Sequence, residues 1–150
     1  MRLILQRVAS AAVTVDGETV GRIGRGLFAL VGCERGDGPA EAERAAERLS
    51  RLRLFEDADG RMNLDAAAVS GEFLVVSQFT LAASLERGRR PSFDRAAPPE
   101  IAAPLVEALV EALRARGHTV ATGRFGARMQ VELVNDGPVT FVLDLKSASG

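Results

Sequence analysis

Apolar and polar positions alternate, or the apolar ones run on unbroken, through RLILQRV and AAVTVDGETVGRI on either side of Asp16-Gly17. Asp-Gly is a strong turn dipeptide, so this pattern predicts opening strands and a hairpin. GLFALVGCE, after Gly24 and Gly26, reads as a further buried strand. The period then changes. Over residues 39–55 the apolar positions Ala42, Ala45, Ala46, Leu49 and Leu52 fall at helical spacing, with Pro39 suited to a first turn and Arg44, Arg48 and Arg51 on another, solvated face. EDADGRMN is turn-rich, and EFLVVSQF is a β-branched strand that ends in the polar Ser77-Gln78 pair.

PPEIAAPLVEALVEALRARG places Ile101, Leu105, Leu109 and Leu113 four residues apart, joined by Val106 and Val110. This predicts a long amphipathic helix in spite of Pro104, stopped by Gly117. ARMQVELVNDGPVTFVLDL reads as two strands joined by a turn at NDGP, and KSASG as a small polar tail. Strands outnumber helices and do not alternate strictly with them. The expected class is α+β: a single domain of curved, largely antiparallel sheet with a barrel-like core, covered by two helices.

A chain of 150 residues, 47% apolar and 26% charged, can bury one ordinary core amounting to roughly 70% of its extended surface. No apolar run approaches the roughly 20 residues of a membrane helix, and Gln6 and Arg7 interrupt the opening run before a signal-peptide core is complete. A cytoplasmic protein without membrane contact is expected.

Candidate chemistry is narrowed by what is scarce. Cys33 is the only cysteine and sits in a buried strand pattern, and His118 is the only histidine, at a helix end. These counts argue against a thiolate or histidine-rich metal site and against a histidine triad, so neither metal nor cofactor is expected. An enzyme built on this chain works with hydroxyls, carboxylates, arginines, backbone groups or the substrate itself. The formal net charge of −1 supplies no general attraction to nucleic acid, although 18 of the 19 basic residues are arginine.

Two motifs stand out. In SQFT, Ser77, Gln78 and Thr80 arrive where the apolar strand stops, with Phe79 between them. Their hydroxyls either cap local backbone groups or serve chemistry, with Thr80 as nucleophile or as donor to a developing oxyanion; no base for a nucleophile is evident. NDGPVT, Asn135 to Thr140, is either an ordinary hairpin turn or the site of a cis Gly137-Pro138 bond. Arg87, Arg89, Arg90 and Arg95 form an arginine loop that either meets phosphate or pairs with Glu86 and Asp94.

SQFTL and NDGPVTF together resemble the two signature motifs of D-aminoacyl-tRNA deacylase, also called the D-tyrosyl-tRNA(Tyr) deacylase family. LILQRV, the RPSF loop at Arg90 to Phe93 and TGRFGARMQV from Thr122 extend the resemblance over nearly the whole chain. It implies a deacylase domain over residues 1–145 with a flexible tail at 146–150. It also implies a hydrolase of the ester in D-aminoacyl-tRNA, and in glycyl-tRNA, that acts in translation quality control. The family is a homodimer that rejects L-aminoacyl-tRNA through a Gly-cisPro motif reaching into the neighbouring subunit. By position, Gly137 and Pro138 would be the chiral selector, and Ser77, Gln78, Phe79 and Thr80 would line the ester site. Arg7 would steady the Gly-Pro loop, and Phe125 and Met129 would hold the terminal adenosine. Read from the residues alone, Arg7 is a strand-edge ion pair, and Phe125 and Met129 are ordinary core. Competing readings are a non-enzymatic RNA- or DNA-binding module, disfavoured by the lack of Tyr and Trp, and an amidohydrolase of small D-amino acid derivatives.

Overall fold

The Asp16-Gly17 dipeptide turns the chain with φ of 50° and 79°, joining β1 (Arg2–Val15) to β2 (Glu18–Ile23) in the computed structural model, which describes residues 1–146. β1 is the organising strand. β3 (Gly26–Gly32) pairs with its first half and β2 with its second, while β8 (Gln130–Asp144) runs antiparallel along almost all of it.

Val8 faces Asn135 on β8 and Ser10 faces Val134, so β1 carries one extra residue there. Such a bulge exchanges the faces of a strand. Leu3 and Leu5, before it, enter one buried cluster, whereas Ala11 and Val13, after it, join Val8 in another. One 14-residue strand thereby serves two cores.

β3 and β6 (Glu72–Ser77) are buried on both faces: Phe73 and Val75 enter the first cluster, Leu74 and Val76 the second. Strands with near-continuous apolar runs belong in parallel pairings, and β3–β6 is parallel, as is β6 with β7 (Val120–Thr122). The expectation of a largely antiparallel sheet is therefore refined: the six-stranded sheet is mixed, in the order β2-β1-β3-β6-β7 with β8 on the other side of β1. It nearly closes on itself where β2 approaches β7, because a Cβ on Gly21 would lie 2.2 Å from the Thr122 carbonyl oxygen.

α1 (Pro39–Arg51) and α2 (Pro99–Ala115) cover the outside of the sheet. Ala42, Ala45, Ala46 and Leu49 of α1 pack with Leu105, Leu109 and Leu113 of α2 in the first cluster. α1 ends before Phe55, which opens a small hairpin of β4 (Phe55–Glu56) and β5 (Met62–Leu64) over the EDADGRMN turn. Gly117, at φ 89°, stops α2 as expected, but Ile101 is 48% exposed and lies off the buried stripe. NDGP is not a hairpin turn, since β8 continues through it against the same partner. Most of the expected tail, residues 147–150, lies outside the described residues. No helix among the described residues is long and apolar enough to cross a membrane.

Candidate active site

β6 delivers four buried residues, Phe73 to Val76, and then Ser77, after which the backbone leaves the strand. Gln78 is still tied to the sheet by its N–H to the Val31 carbonyl at 2.8 Å, and Phe79–Ala82 wind into a 3-10 turn. Gly32 on β3 makes room for that turn, because a Cβ there would sit 2.7 Å from Leu81 Cβ and 3.0 Å from the Gln78 carbonyl oxygen. The Gln78 amide donates to Thr80 Oγ1. The turn's first backbone bond runs from Leu81 N to the Gln78 carbonyl, so the amides of Phe79 and Thr80 precede it, and no side chain among the described residues caps them. Phe79 is 57% exposed and leans on Phe93, with ring centroids 5.2 Å apart.

The opposite wall follows β7. Gly123 approaches Met129 so closely that a Cβ would lie 2.6 Å from its Sδ, and the Arg124 amide points at the same sulfur from 3.4 Å. With Gly126 at φ 75°, the segment folds back to bring Phe125 and Met129 to one side of a cavity of about 580 Å³. Ser77, Gln78 and Phe79 line it from the end of β6 and the turn that follows, Val31 and Cys33 from the end of β3 and just beyond it, and Pro98, Pro99, Ala102 and Val106 from the N-cap and first half of α2. An adjoining cavity of about 330 Å³ shares Ser77, Val106 and Phe125. Thr80 lies just outside the lining, linked to it through Gln78. Sequence reasoning missed the α2 residues, whose small and apolar side chains carry no chemical signal.

Neither of the two scarce residues behaves as a catalyst. Cys33 is 3% exposed, and its thiol is pushed up to about 11, chiefly by burial and further by the Asp37 carboxylate. It is the core thiol its sequence setting suggested. His118 packs edge-on against Phe73 at 4.9 Å, away from the cavity lining, and burial lowers its pKa. Among the described residues no group of three His, Cys, Asp or Glu side chains is arranged to hold a metal ion.

Gly137 and Pro138 stand elsewhere. Between Asn135 (opposite Val8) and Thr140 (opposite Gln6), β8 bulges outward, with residues 136–139 facing Arg7 alone. The Gly137-Pro138 bond is cis, and both residues are exposed. Arg7, only 6% exposed, donates from Nε to the Asp136 carbonyl at 2.9 Å and from Nη1 to the Leu54 carbonyl at 2.8 Å. Its guanidinium also lies 3.1 Å from the Asp136 carboxylate and 3.7 Å from that of Glu56. Asn135, which the sequence marked only as the start of the NDGPVT motif, closes the base of the bulge: its Nδ2 donates to the carbonyls of Arg7 at 2.9 Å and Val139 at 3.1 Å. The structure thus brings Ser77, Gln78, Phe79, Phe125 and Met129 to one cavity, with Thr80 at its edge. Arg7, Gly137 and Pro138 form a separate group that does not line this cavity in the same chain.

A family model described as D-Tyr-tRNA(Tyr) deacylase matches residues 4–144. The chain is 58% identical to a D-aminoacyl-tRNA deacylase of Roseiflexus castenholzii, over 96% of its own length and 92% of the relative's. It is equally 58% identical to one from Syntrophotalea carbinolica, over 96% and 97%. Among solved structures it is similar to a c-Myc DNA Unwinding Element Binding Protein, with a TM-score of 0.91 and 39% identity over 97% of this chain and 99% of that one. The fold is also that of a chain described as a probable eukaryotic D-amino acid tRNA deacylase, with a TM-score of 0.83 at 19% identity over 96% and 98%.

Proposed function

The chain belongs to the D-Tyr-tRNA(Tyr) deacylase family, as a D-aminoacyl-tRNA deacylase and therefore an ester hydrolase, and from that premise we propose that the cavity at the end of β6 holds the scissile ester. The observation that carries this reading is the convergence of Ser77, Gln78, Phe79, Phe125 and Met129 on one largely apolar cavity beside a turn with uncapped amides. The terminal adenosine rests against Phe125 and Met129. The carbonyl carbon of the D-aminoacyl group then faces the Phe79–Thr80 turn.

Hydrolysis without a protein base is supported by the surroundings of Thr80. Its hydroxyl oxygen accepts from Gln78, which is not a base, and His118 is occupied with Phe73. Thr80 orients rather than attacks. Water adds to the carbonyl carbon, the backbone N–H groups of Phe79 and Thr80 receive the oxyanion, and the C–O bond to the ribose breaks. The neighbouring ribose hydroxyl helps to activate the water and to protonate the leaving oxygen. Fixed donors aimed at a developing oxyanion are commonly worth ~3–4 kcal/mol each.

Chiral selection belongs to Gly137 and Pro138 of a second copy in a homodimer. The loop is exposed, braced by Arg7 and Asn135, and not part of the lining of its own cavity. It rises from a strand whose outer edge has no partner among the described residues, and that strand exposes Val131, Val134, Phe141 and Val142. A main-chain wall there meets the side chain of an L-residue and leaves a D-residue room. A wall that only excludes also admits glycine, so glycyl-tRNA is a substrate.

The similarity to a protein named for binding a DNA unwinding element favours a second reading, nucleic-acid binding without catalysis. Incubation with D-aminoacyl-tRNA, L-aminoacyl-tRNA, glycyl-tRNA and a free D-amino acid ester separates the readings. Release of D-amino acid and glycine from tRNA, with the L-ester spared, is the expected result. Binding with every ester intact would support the second reading, and hydrolysis of the free ester alone would support an amidohydrolase-like enzyme.

A further inference from the structure

Among the described residues, eight of the eighteen arginines have hydrogen-bond or ion-pair partners for their side chains. Arg2, Arg7, Arg44, Arg51, Arg114 and Arg116 are in ion pairs, and Arg35 and Arg53 donate hydrogen bonds. Arg87, Arg89, Arg90 and Arg95 are exposed, and among the described residues none has a side-chain hydrogen bond or ion pair, neither with Glu86 nor with Asp94. Arg124 and Arg128 are likewise exposed, and their side chains have no partner among the described residues. These six sit on two segments that both border the cavity, one through Phe93, whose ring packs at a tilt against Phe79, and through the adjoining Ala96, the other through Phe125 and Met129. Residues 84–95 carry four arginines against two carboxylates, and residues 123–130 carry two arginines and none, in a chain of net charge −1.

The larger loop is also preformed. Ser84 and Ser92 exchange backbone hydrogen bonds of 2.8 and 2.9 Å at its neck, and Gly88 turns its tip at φ 69°. Its base is fastened beyond β3 by Arg35 N to the Arg95 carbonyl at 2.8 Å and by Arg35 Nε to the Asp94 carbonyl at 2.8 Å. Cations held on a fixed frame without internal partners are suited to an external anion that arrives with the substrate.

We propose that Arg87, Arg89 and Arg90, with Arg124 and Arg128, receive the backbone phosphates of the tRNA 3′ strand and acceptor end that lead to the ester. This rests on the deacylase reading of the cavity. Phosphate contacts position a nucleic acid without reading its sequence, so the loop sets affinity and salt dependence and leaves the chemistry at Phe79 and Thr80 unchanged.

The test compares Arg87→Gln/Arg89→Gln/Arg90→Gln with Arg22→Gln/Arg48→Gln/Arg61→Gln, which removes the same charge from exposed, unpaired arginines that do not line the cavity. Two substrates are used across a salt series: D-aminoacyl-tRNA and D-aminoacyl-adenosine, which has the ester but no phosphate. The loop variant is expected to lose about tenfold or more in kcat/KM on tRNA at low salt and to flatten the log–log salt slope by about 2 to 3. It should hydrolyse the adenosine ester at the parental rate, and the control should match the parent on both. An unchanged slope, an equal effect in the control, or loss of the adenosine ester would overturn the proposal. Binding of uncharged tRNA, read by fluorescence anisotropy in the same salts, needs no chemistry. A weakened slope there in a chain that cleaves neither ester would retain the loop and refute the deacylase reading, whereas unaltered binding would refute the loop.

Discussion

Arg7 and Asp136 are joined twice: the guanidinium Nε lies 2.9 Å from the Asp136 carbonyl oxygen and 3.1 Å from its carboxylate. The two contacts are unequal. The carboxylate is half exposed and screened by water, so its ion pair contributes at most about 1 kcal/mol. The carbonyls of Asp136 and Leu54 are where the buried arginine fixes the bulge. Arg7→Ala is expected to cost about 3 kcal/mol in urea unfolding, and Asp136→Asn less than about 1 kcal/mol. Arg7→Lys restores charge but not the planar fork. On the proposed reading it recovers part of the stability while hydrolysis of L-aminoacyl-tRNA rises relative to the D-ester.

Thr80 and Gln78 give a sharper division between mechanisms. If the Thr80 hydroxyl orients the site, Thr80→Val lowers kcat by about tenfold, the value of one hydrogen bond of ~1.5 kcal/mol. Thr80→Ser then remains close to the parent. Rapid quench with labelled D-aminoacyl-tRNA should trap no acyl-protein. A covalent adduct on Thr80, or a Thr80→Val rate indistinguishable from buffer, would show the hydroxyl to be the nucleophile.

What could be read from the sequence depended on whether a residue's role is local. The Asp16-Gly17 turn, the helical stripe of Ala42, Ala45, Ala46 and Leu49 and the Gly117 stop are set by neighbours a few positions away, and they were legible. The path of β8 was not. Asp136-Gly137-Pro138 has turn chemistry, but whether a chain reverses there depends on its partner, and the length of β1 keeps both halves of β8 on one strand. Parallel pairing of β3 with β6 was hinted at by apolar runs on both strands, which alternating antiparallel strands rarely show. Ile101 fits the stripe by spacing, but it lies in the first turn of α2, where the helix overhangs its core. Within the site, Ser77 to Thr80 declared themselves by polarity, whereas Asn135 looked like any turn residue until its two carbonyl partners came together.

Two glycines at the cavity should respond differently to alanine. At Gly32 the new Cβ meets Leu81 Cβ at 2.7 Å and the Gln78 carbonyl at 3.0 Å, so the backbone of the SQFT turn must move. Gly32→Ala is expected to cost about 1–3 kcal/mol and to lower kcat. At Gly123 the obstacle is the Met129 sulfur, at 2.6 Å, on a side chain that can swing away. Gly123→Ala should retain its melting temperature within a few degrees and raise KM by displacing the Met129 wall. Equal stability losses would mean that Met129 is as immobile as the turn.

Alkaline stability isolates the buried thiol. Burial pushes the Cys33 thiol up to about 11 from its ordinary value of 9.0, so above pH 9 the unfolded chain releases a proton that the folded chain keeps. The unfolded state is favoured progressively through that interval, and stability present below pH 9 is lost up to about pH 11. Two pH units of separation correspond to about 2–3 kcal/mol. The chain has no tyrosine and one lysine, which leaves few other groups to titrate there. Urea midpoints measured from pH 8 to 11 should therefore fall in the parent and fall less in Cys33→Ala, even though the alanine variant starts lower from its lost packing. Parallel curves would mean that the thiol ionises as readily inside the fold as outside it. Iodoacetamide offers an independent reading at neutral pH, where the folded protein should be alkylated far more slowly than the urea-unfolded chain.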